Sequence, residues 1–382
     1  MSSDLRSKVA IVGVGTTDFA ALAAKPETPR SAFDLGVDAF AAALDDSGLD
    51  KSEIDGLLCA RIPSYSHLAD LLGLRHLKFV NSFEGSGRMS GVALEVAVMA
   101  VASGLADTIA LVYGNNGRSA GATYGGGEGA TPTDSYDTVY GMTSPGAYVA
   151  TMYQRYMYDY GVPDGALANL AINNRNHAIL NPNAVMRTPL DTDTYMNSRF
   201  IAEPLRLFDY CLINDGAVAL IVTTPERAKY LKKPPVYVRA TGACSDLSNF
   251  YTSPDYFYTA CMSVSDRVFD DAGVSRRDID CLQIYDNFTP TILFALEGFG
   301  YCDRGRAWEW TTPERMNFKG ELPINTSGGH TSESYMQGWA LHVEAVRQLR
   351  GEGGDRQVAD CHVAQYICPS PIVTSHVLAT EP

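Results

Sequence analysis

The chain has 382 residues, of which 46% are hydrophobic and 19% charged, so it can bury a real core in one large or two ordinary domains. Its 30 Lys and Arg against 44 Asp and Glu leave a formal charge of −14. That excludes a protein built to lie along a nucleic-acid backbone, which needs a basic surface, but not a basic pocket for one anionic ligand.

No run reaches the 18 or so apolar residues of a membrane-spanning helix. The start, MSSDLRSKVAIVGVG, lacks the charged leader, apolar core and cleavage site of a secretory signal, and the last four residues carry no targeting tripeptide. Eight Cys stand at 59, 211, 244, 261, 281, 302, 361 and 368, with no Cys-x-x-Cys pair and no His at zinc spacing. The expectation is a cytoplasmic protein with reduced, mostly buried thiols and no metal. There are 21 Tyr beside 7 His, so phenols are plentiful and imidazoles scarce.

Strand and helix patterns alternate along the chain. Val9 to Val14 reads as a buried strand. Residues 31–48 form a helix with Phe33, Val37, Phe40, Ala41 and Leu44 on its buried face, closed by Gly48. Short strands follow at Ile54–Cys59 and Leu77–Val80. Residues 87–104 make a helix with so few charges that it must be buried. Thr108–Tyr113 is a further strand. Such alternation predicts an α/β fold with a mainly parallel sheet.

The second half repeats the first. Asp45-Asp46-Ser47-Gly48-Leu49 through Ile54-Asp55-Gly56-Leu57 aligns with Asp270-Asp271-Ala272-Gly273-Val274 through Ile279-Asp280-Cys281-Leu282. Gly91-Val92-Ala93-Leu94-Glu95-Val96 aligns with Gly338-Trp339-Ala340-Leu341-His342-Val343. Strand 9–14 corresponds to Val236–Ala240. Two similar halves are expected, at 1–228 and 232–382, joined at Lys232-Lys233-Pro234-Pro235. Residues 115–205 have no counterpart and are read as an insertion with helices near 146–160 and 164–178. The eight Tyr between 124 and 160 are read as core and dimer-interface packing.

Several motifs dissolve on inspection. Gly13-x-Gly15 follows a strand, but Asp18 holds the place of the third glycine of a dinucleotide fingerprint. Gly125-Gly126-Gly127 lacks the Lys-Ser/Thr of a Walker loop. Glu84-Gly85-Ser86-Gly87 lacks the first glycine of a nucleophile elbow. Ser86 is read as a helix N-cap, with an activated nucleophile as the alternative. The repeat sets residue 87 opposite residue 334. Two related helix N-termini would then aim free N–H groups at one cleft, an arrangement suited to a developing oxyanion.

At this level the chain resembles the thiolase superfamily, in particular its sterol-carrier-protein and lipid-transfer-protein-like branch. The resemblance covers nearly the whole chain. It is carried by Ser103-Gly104-Leu105-Ala106-Asp107, Asn181-Pro182-Asn183-Ala184, Ile201-Ala202-Glu203-Pro204-Leu205, Asn214-Asp215-Gly216-Ala217-Val218-Ala219, Tyr285-Asp286-Asn287-Phe288, Asn325-Thr326-Ser327-Gly328-Gly329 and Gln348-Leu349-Arg350-Gly351. It implies the thiolase fold: two βαβαβαββ halves in a five-layered αβαβα arrangement with a loop insertion, normally a homodimer. The catalytic positions depart from the family. The nucleophilic Cys position, about two helical turns before Leu94, falls on Gly87. The His of the Gly-His-Pro motif falls on Ser332. Tyr285 replaces the His or Asn of a further motif, and Cys368 lies close to the acid/base Cys without its following Gly.

Without a thiol nucleophile, acyl-enzyme chemistry has no first step. The pattern of Tyr285 with Gly328-Gly329-x-x-Ser332-x-Ser334-Tyr335 resembles the steroid side-chain aldolases of the superfamily. The resemblance implies retro-aldol cleavage of a bulky β-hydroxyacyl-CoA, such as a 17-hydroxy-steroid side-chain acyl-CoA, to a ketone and a shorter acyl-CoA such as propionyl-CoA. Such a step needs a base for the β-hydroxyl, stabilisation of a thioester enolate and an acid for its α-carbon. Tyr285 and Tyr335 are the expected acid/base pair, with Tyr285 set on the hydroxyl and Tyr335 on the enolate, an order that the sequence leaves open. Gly87, Ser86, Ser332, His330, Asn287 and Cys368 are the expected supporting or oxyanion positions. Arg88, Arg118, Arg175, Arg187 and Arg206 are candidates for binding CoA, the substrate carrier, with no other cofactor. The resemblance also implies a small partner with a zinc ribbon and an OB-fold, giving a heterotetramer. Two other readings stay open: a non-catalytic acyl-CoA or lipid-binding subunit, and an acyltransferase using Ser86 or Cys368.

Overall fold

The run at residues 9–14 becomes strand β1 (Ala10–Thr16), buried on both faces as far as Gly15. A strand covered on both sides needs no polar alternation, so it reads as one apolar run. Its glycines admit a helix. A Cβ on Gly13 or Gly15 would strike the carbonyl of Ala43 or Ala39 in helix α1 (Ala32–Ser47). Ser31 and Asp34 form a capping box at the start of α1, and Gly48, at φ 74°, ends it. The most buried stripe of α1 is Leu35, Ala39, Phe40 and Ala43, whereas Phe33, Val37 and Leu44 are half-buried and Ala41 is exposed. The stripe differs from the expected one because the small Ala39 and Ala43 must face the two glycines.

This computed structural model describes residues 5–25, 28–84, 87–122, 139–245 and 253–382. Ser86, Tyr124, Tyr136 and the Gly125–Gly127 run lie outside them. The other strands of the main sheet are β2 (Gly56–Ala60), β3 (Phe79–Phe83), β4 (Thr108–Asn115), β5 (Gly216–Thr223), β6 (Val236–Ser245), β7 (Cys281–Ile284), β8 (Val363–Cys368) and β9 (Ile372–Ala379). Their order is β3-β2-β4-β5-β1-β6-β9-β8-β7. Strand β2 runs parallel to β3 and β4, while β5 is antiparallel to β4 and β1. In the second half β7 runs parallel to β8, while β9 is antiparallel to β8 and β6. So β6, β7, β8 and β9 repeat β1, β2, β4 and β5. The place of β3 is held by a single parallel bridge between Leu282 and Ile324. Among the described residues the second half thus shows four of the five strands of the βαβαβαββ pattern.

Both halves share one central layer. Helix α2 (Met89–Ala102) contributes Ala93, Leu94, Ala97 and Val98 to it. Helix α7 (Trp339–Leu349) contributes Trp339, Ala340, Val343 and Val346. These residues pack between Ile11 and Leu111 of one half and Cys281, Ala364 and Leu378 of the other. Helix α1 covers the outer face of the first half. Helices α5 (Tyr258–Ala272) and α6 (Pro290–Gly298) cover that of the second. This is the αβαβα layering of the thiolase fold. Arg350 ties the halves together, donating to the carbonyl oxygens of Val12 and Pro234 and pairing with Asp46 at 2.8 Å.

The insertion forms helices α3 (Pro145–Tyr160) and α4 (Ala168–Ile179), close to the expected spans. Among its described tyrosines, Tyr153 and Tyr156 are buried within the chain. Tyr156 donates to Glu297 Oε1 at 2.5 Å, Tyr258 from the second half donates to Oε2 of the same carboxylate, and the Tyr156 ring meets Tyr256 and Phe294 edge-on. Tyr140 and Tyr158 are exposed. Among the described residues no helix is long and apolar enough to cross a membrane.

Candidate active site

Strands β7 and β8 run parallel and end side by side, the position at which an open α/β sheet offers its ligand crevice. Tyr285 follows β7, its N–H bonded to the carbonyl of Ile367 at 2.8 Å. Thr291 holds its carbonyl at 2.9 Å. Asp286 is fully buried and takes hydrogen bonds from Asn174 Nδ2 at 2.7 Å and the His330 N–H at 2.9 Å. Gly328 and Gly329, at φ 110° and 59°, fold the following loop over this carboxylate, and a side chain on Gly329 would strike Asp286. That loop brings Tyr335 to Tyr285.

The two phenol oxygens lie 2.9 Å apart. Tyr335 is anchored through its N–H to Asn214 Oδ1 at 2.8 Å. Tyr285 is only 3% exposed. Burial first, then Tyr335 and Cys368 beside it, hold its hydroxyl well above the ordinary tyrosine range, so it stays a neutral phenol. Gly87 makes the pair possible: a Cβ there would fall on the Tyr285 hydroxyl. The position at which thiolases are expected to carry a thiol is filled by a phenol reaching in from β7.

His330 lies under both phenols, its ring centroid 4.7 Å from that of Tyr285 and 5.3 Å from that of Tyr335. Its nitrogens point elsewhere. Nε2 accepts the Gly338 N–H at 3.0 Å, and Nδ1 lies 3.1 Å from Asp286 Oδ1, near enough for an ion pair but not aligned as a hydrogen bond. So the N–H at the start of α7 goes to His330, and the expected pair of free helix N-termini is reduced to that of α2. Trp339 N–H is also used, on the Met336 carbonyl.

A cavity of about 100 Å³ opens beside the phenols, walled by Gly87, Arg88, Phe257, Phe288 and Pro369 among others. The C-terminal half of the chain, residues 242–379, matches the family model of thiolase C-terminal domain-like proteins. A steroid side-chain-cleaving aldolase from Thermomonospora curvata is 33% identical over 365 residues, covering 91% of this chain and 92% of that protein. A 17-hydroxy-3-oxo-4-pregnene-20-carboxyl-CoA lyase from Mycobacterium tuberculosis is equally similar, at 33% identity over 365 residues with the same coverage. The solved Ltp2-ChsH2(DUF35) aldolase matches with a TM-score of 0.90 and 30% identity over 98% of each chain. The chain belongs to the acyl-CoA aldolases of the thiolase superfamily.

Other expected positions of this aldolase fall in different places. Asn287 lines the cavity, and its carbonyl takes the Cys211 N–H at 2.9 Å. Cys368 ends β8 beside Tyr285, fully buried, and burial pushes its thiol up to about 11. Ser332 turns away from the cavity: its Oγ takes a hydrogen bond from Arg175 Nε at 3.1 Å and its carbonyl takes the Met186 N–H. Of the candidate arginines only Arg88 lines the cavity. Arg175 is spent on Ser332 and the Thr188 carbonyl, and Arg206 on Asp164 and the Met196 and Ser198 carbonyls. Arg118 and Arg187 reach the carbonyls of Ala23 and Ile179 instead.

Sequence reasoning missed two neighbours of the pair. Cys211 lines the cavity and is among the groups that raise Tyr285. Tyr366 packs with Tyr285 and Cys368, and its hydroxyl lies 3.0 Å from Ser90 Oγ in the first turn of α2. The alternation of β8 held that signal, since Tyr366 and Cys368 share one face of the strand.

Proposed function

We propose that this aldolase cleaves a bulky β-hydroxyacyl-CoA, a 17-hydroxy-steroid side-chain thioester, to a 17-ketone and propionyl-CoA. The observation that carries the reading is the pair of phenols 2.9 Å apart over the cleared Gly87 position. Two neutral phenols in contact can relay a proton without either one ionising in the resting enzyme. Tyr335 takes the β-hydroxyl proton as its own passes to Tyr285, and Tyr285 delivers its proton to the α-carbon. The hydroxyl's electron pair forms the ketone, the bond between the α- and β-carbons breaks, and its pair becomes the thioester enolate before protonation. One proton leaves oxygen and one arrives at carbon. This order reverses the one first expected. It is supported by the deeper burial of Tyr285, which keeps its phenol protonated in the resting enzyme while the half-buried Tyr335 faces the substrate.

A covalent route through Cys368 is disfavoured, because a thiol held at about 11 supplies little thiolate at neutral pH. The cavity beside the phenols, about 100 Å³, is well below the roughly 300–1,000 Å³ of a drug-sized ligand site. It takes the reacting carbons and thioester, while the steroid body and CoA lie beyond its mouth. A homodimer with a small zinc-ribbon/OB-fold partner is the assembly we assign, and the Ltp2-ChsH2(DUF35) aldolase, named with a second protein, supports the presence of a partner. The test is incubation with the 17-hydroxy-steroid acyl-CoA, with and without such a partner. A 17-ketone with propionyl-CoA is the expected result. An unchanged thioester under both conditions, or a covalent acyl-protein adduct, refutes the reading.

A further inference from the structure

Retro-aldol chemistry places negative charge on the thioester oxygen, and the phenol relay does not neutralise it. Among the described residues the cavity walls hold one cation able to do so. Arg88 is the only charged side chain among the described residues that line the cavity. It immediately precedes α2, so the positive end of the helix dipole adds to its own charge. Its side chain is 18% exposed and held on one side by Glu84, at 3.1 Å from Nη2. Nε is buried and finds no hydrogen-bond partner among the described residues. A buried guanidinium N–H left unpaired is costly and calls for an occupant at the cavity. The charge is also felt by Cys368, buried beside Tyr285: Arg88 is among the groups that draw its thiol back down against burial.

We propose that Arg88 is a catalytic residue of this reaction, donating through its guanidinium to the thioester oxygen and stabilising the enolate. The proposal rests on the retro-aldol reading for its substrate, but the enolate step can be measured by itself. As the carbon–carbon bond breaks, the oxygen gains the charge and Arg88 meets it with N–H donors. As Tyr285 protonates the α-carbon, the charge leaves the oxygen and the thioester is restored. Arg88 transfers no proton. The competing role for the same side chain is CoA phosphate binding, which would act on affinity rather than on rate.

The experiment uses the full chain with its partner and two variants, Arg88→Gln and Arg88→Lys. Three quantities are read: deuterium uptake at the α-carbon of propionyl-CoA in D2O, single-turnover cleavage of the β-hydroxyacyl-CoA, and the Kd of free CoA by calorimetry. Loss of one oxyanion donor costs about 10²–10³-fold in rate. Arg88→Gln is expected to slow exchange and cleavage by about that factor, with the CoA Kd within about twofold of wild type. Arg88→Lys, which keeps the charge but not the planar fork, is expected to fall between. Wild-type exchange and cleavage in Arg88→Gln, with or without weaker CoA binding, overturns the proposal. If wild type exchanges α-protons but cleaves no β-hydroxyacyl-CoA, the retro-aldol reading fails, while the response of exchange to Arg88→Gln still decides the role of Arg88. If wild type does neither, both fall.

Discussion

Replacing Gly87 by alanine adds one carbon at the place where the Tyr285 hydroxyl lies. The new carbon would also sit 2.6 Å from ring atom Cε2, against 3.4 Å for an ordinary contact, so it is 0.8 Å short even at the most distant of its three nearest neighbours. Neither side can yield cheaply. Gly87 immediately precedes Arg88 and α2, and Tyr285 is held by Ile367 and Thr291 through its backbone. Overpacking of this kind costs about 1–3 kcal/mol. The ring must turn away from Tyr335, and the 2.9 Å contact goes with it. Turnover is expected to fall by about 10²–10⁴, the usual worth of a positioned acid or base. Tyr285→Asn in the same chain removes the ring, so the stability lost through Gly87→Ala should be smaller in that background, a coupling of about 0.5–3 kcal/mol. Urea denaturation and steady-state kinetics on the four proteins of the cycle measure both. A Gly87→Ala enzyme with wild-type stability and turnover, or a cycle with no coupling, refutes the argument that phenol and side chain exclude each other.

Tyr285→Phe and Tyr335→Phe should each lower kcat by about 10²–10⁴ with little change in the Kd of CoA, read by single-turnover product analysis. Near-normal turnover in both removes the relay. Arg350→Ala should cost about 1–3 kcal/mol in urea denaturation, because it leaves the Val12 and Pro234 carbonyls without this donor, while Asp46 keeps Lys233 and the Val14 N–H. His342 is buried and its pKa is pushed down to about 4 by desolvation, from an ordinary 6.5. A lowered histidine gives stability that is present above about 6.5 and lost as pH falls toward 4, about 3 kcal/mol over that interval. His342→Gln should therefore lose less stability than wild type between those values. Buried Glu333 and Asp209, held up at about 7 and about 6, act in the opposite sense but are common to both proteins and cancel in the difference. Identical acid profiles for variant and wild type would sink this assignment.

The layered halves were legible because buried strands and amphipathic helices leave period and composition in the chain, and because the helix–Gly–strand segment at 45–57 recurs at 270–282. The loss of the β3 counterpart was not, since one bridge at Ile324 leaves no pattern. Tyr285 and Tyr335 could be named from their motifs. Their separation could not, because it is set by Gly328, Gly329 and Asn214, which act through backbone geometry and one side chain far off in sequence. Ser332 misled for a related reason: motif position says where a residue falls along the chain, not which way a buried loop turns it. The partner that claims its hydroxyl, Arg175, is 157 positions away. The arginines show the limit of charge counting. Five looked equivalent, and tertiary hydrogen bonds leave one of them at the cavity.

The substitutions at this site form one linked set. A thiol on residue 87 and a phenol at 285 cannot share the same volume, so the change to glycine and the change to tyrosine are a single event in physical terms. A thiol nucleophile needs a base to ionise it, whereas a phenol relay needs its members kept neutral. Burial works against the first and for the second. Tyr285 is held far above its ordinary range by the same apolar surroundings that push Cys368 up to about 11. His330 fits the same logic, with its Nε2 given to the Gly338 N–H and its ring left to brace the phenols. The charge that develops on a thioester oxygen calls for a fixed cation, and Arg88 is the one charged side chain among the described residues at the cavity wall.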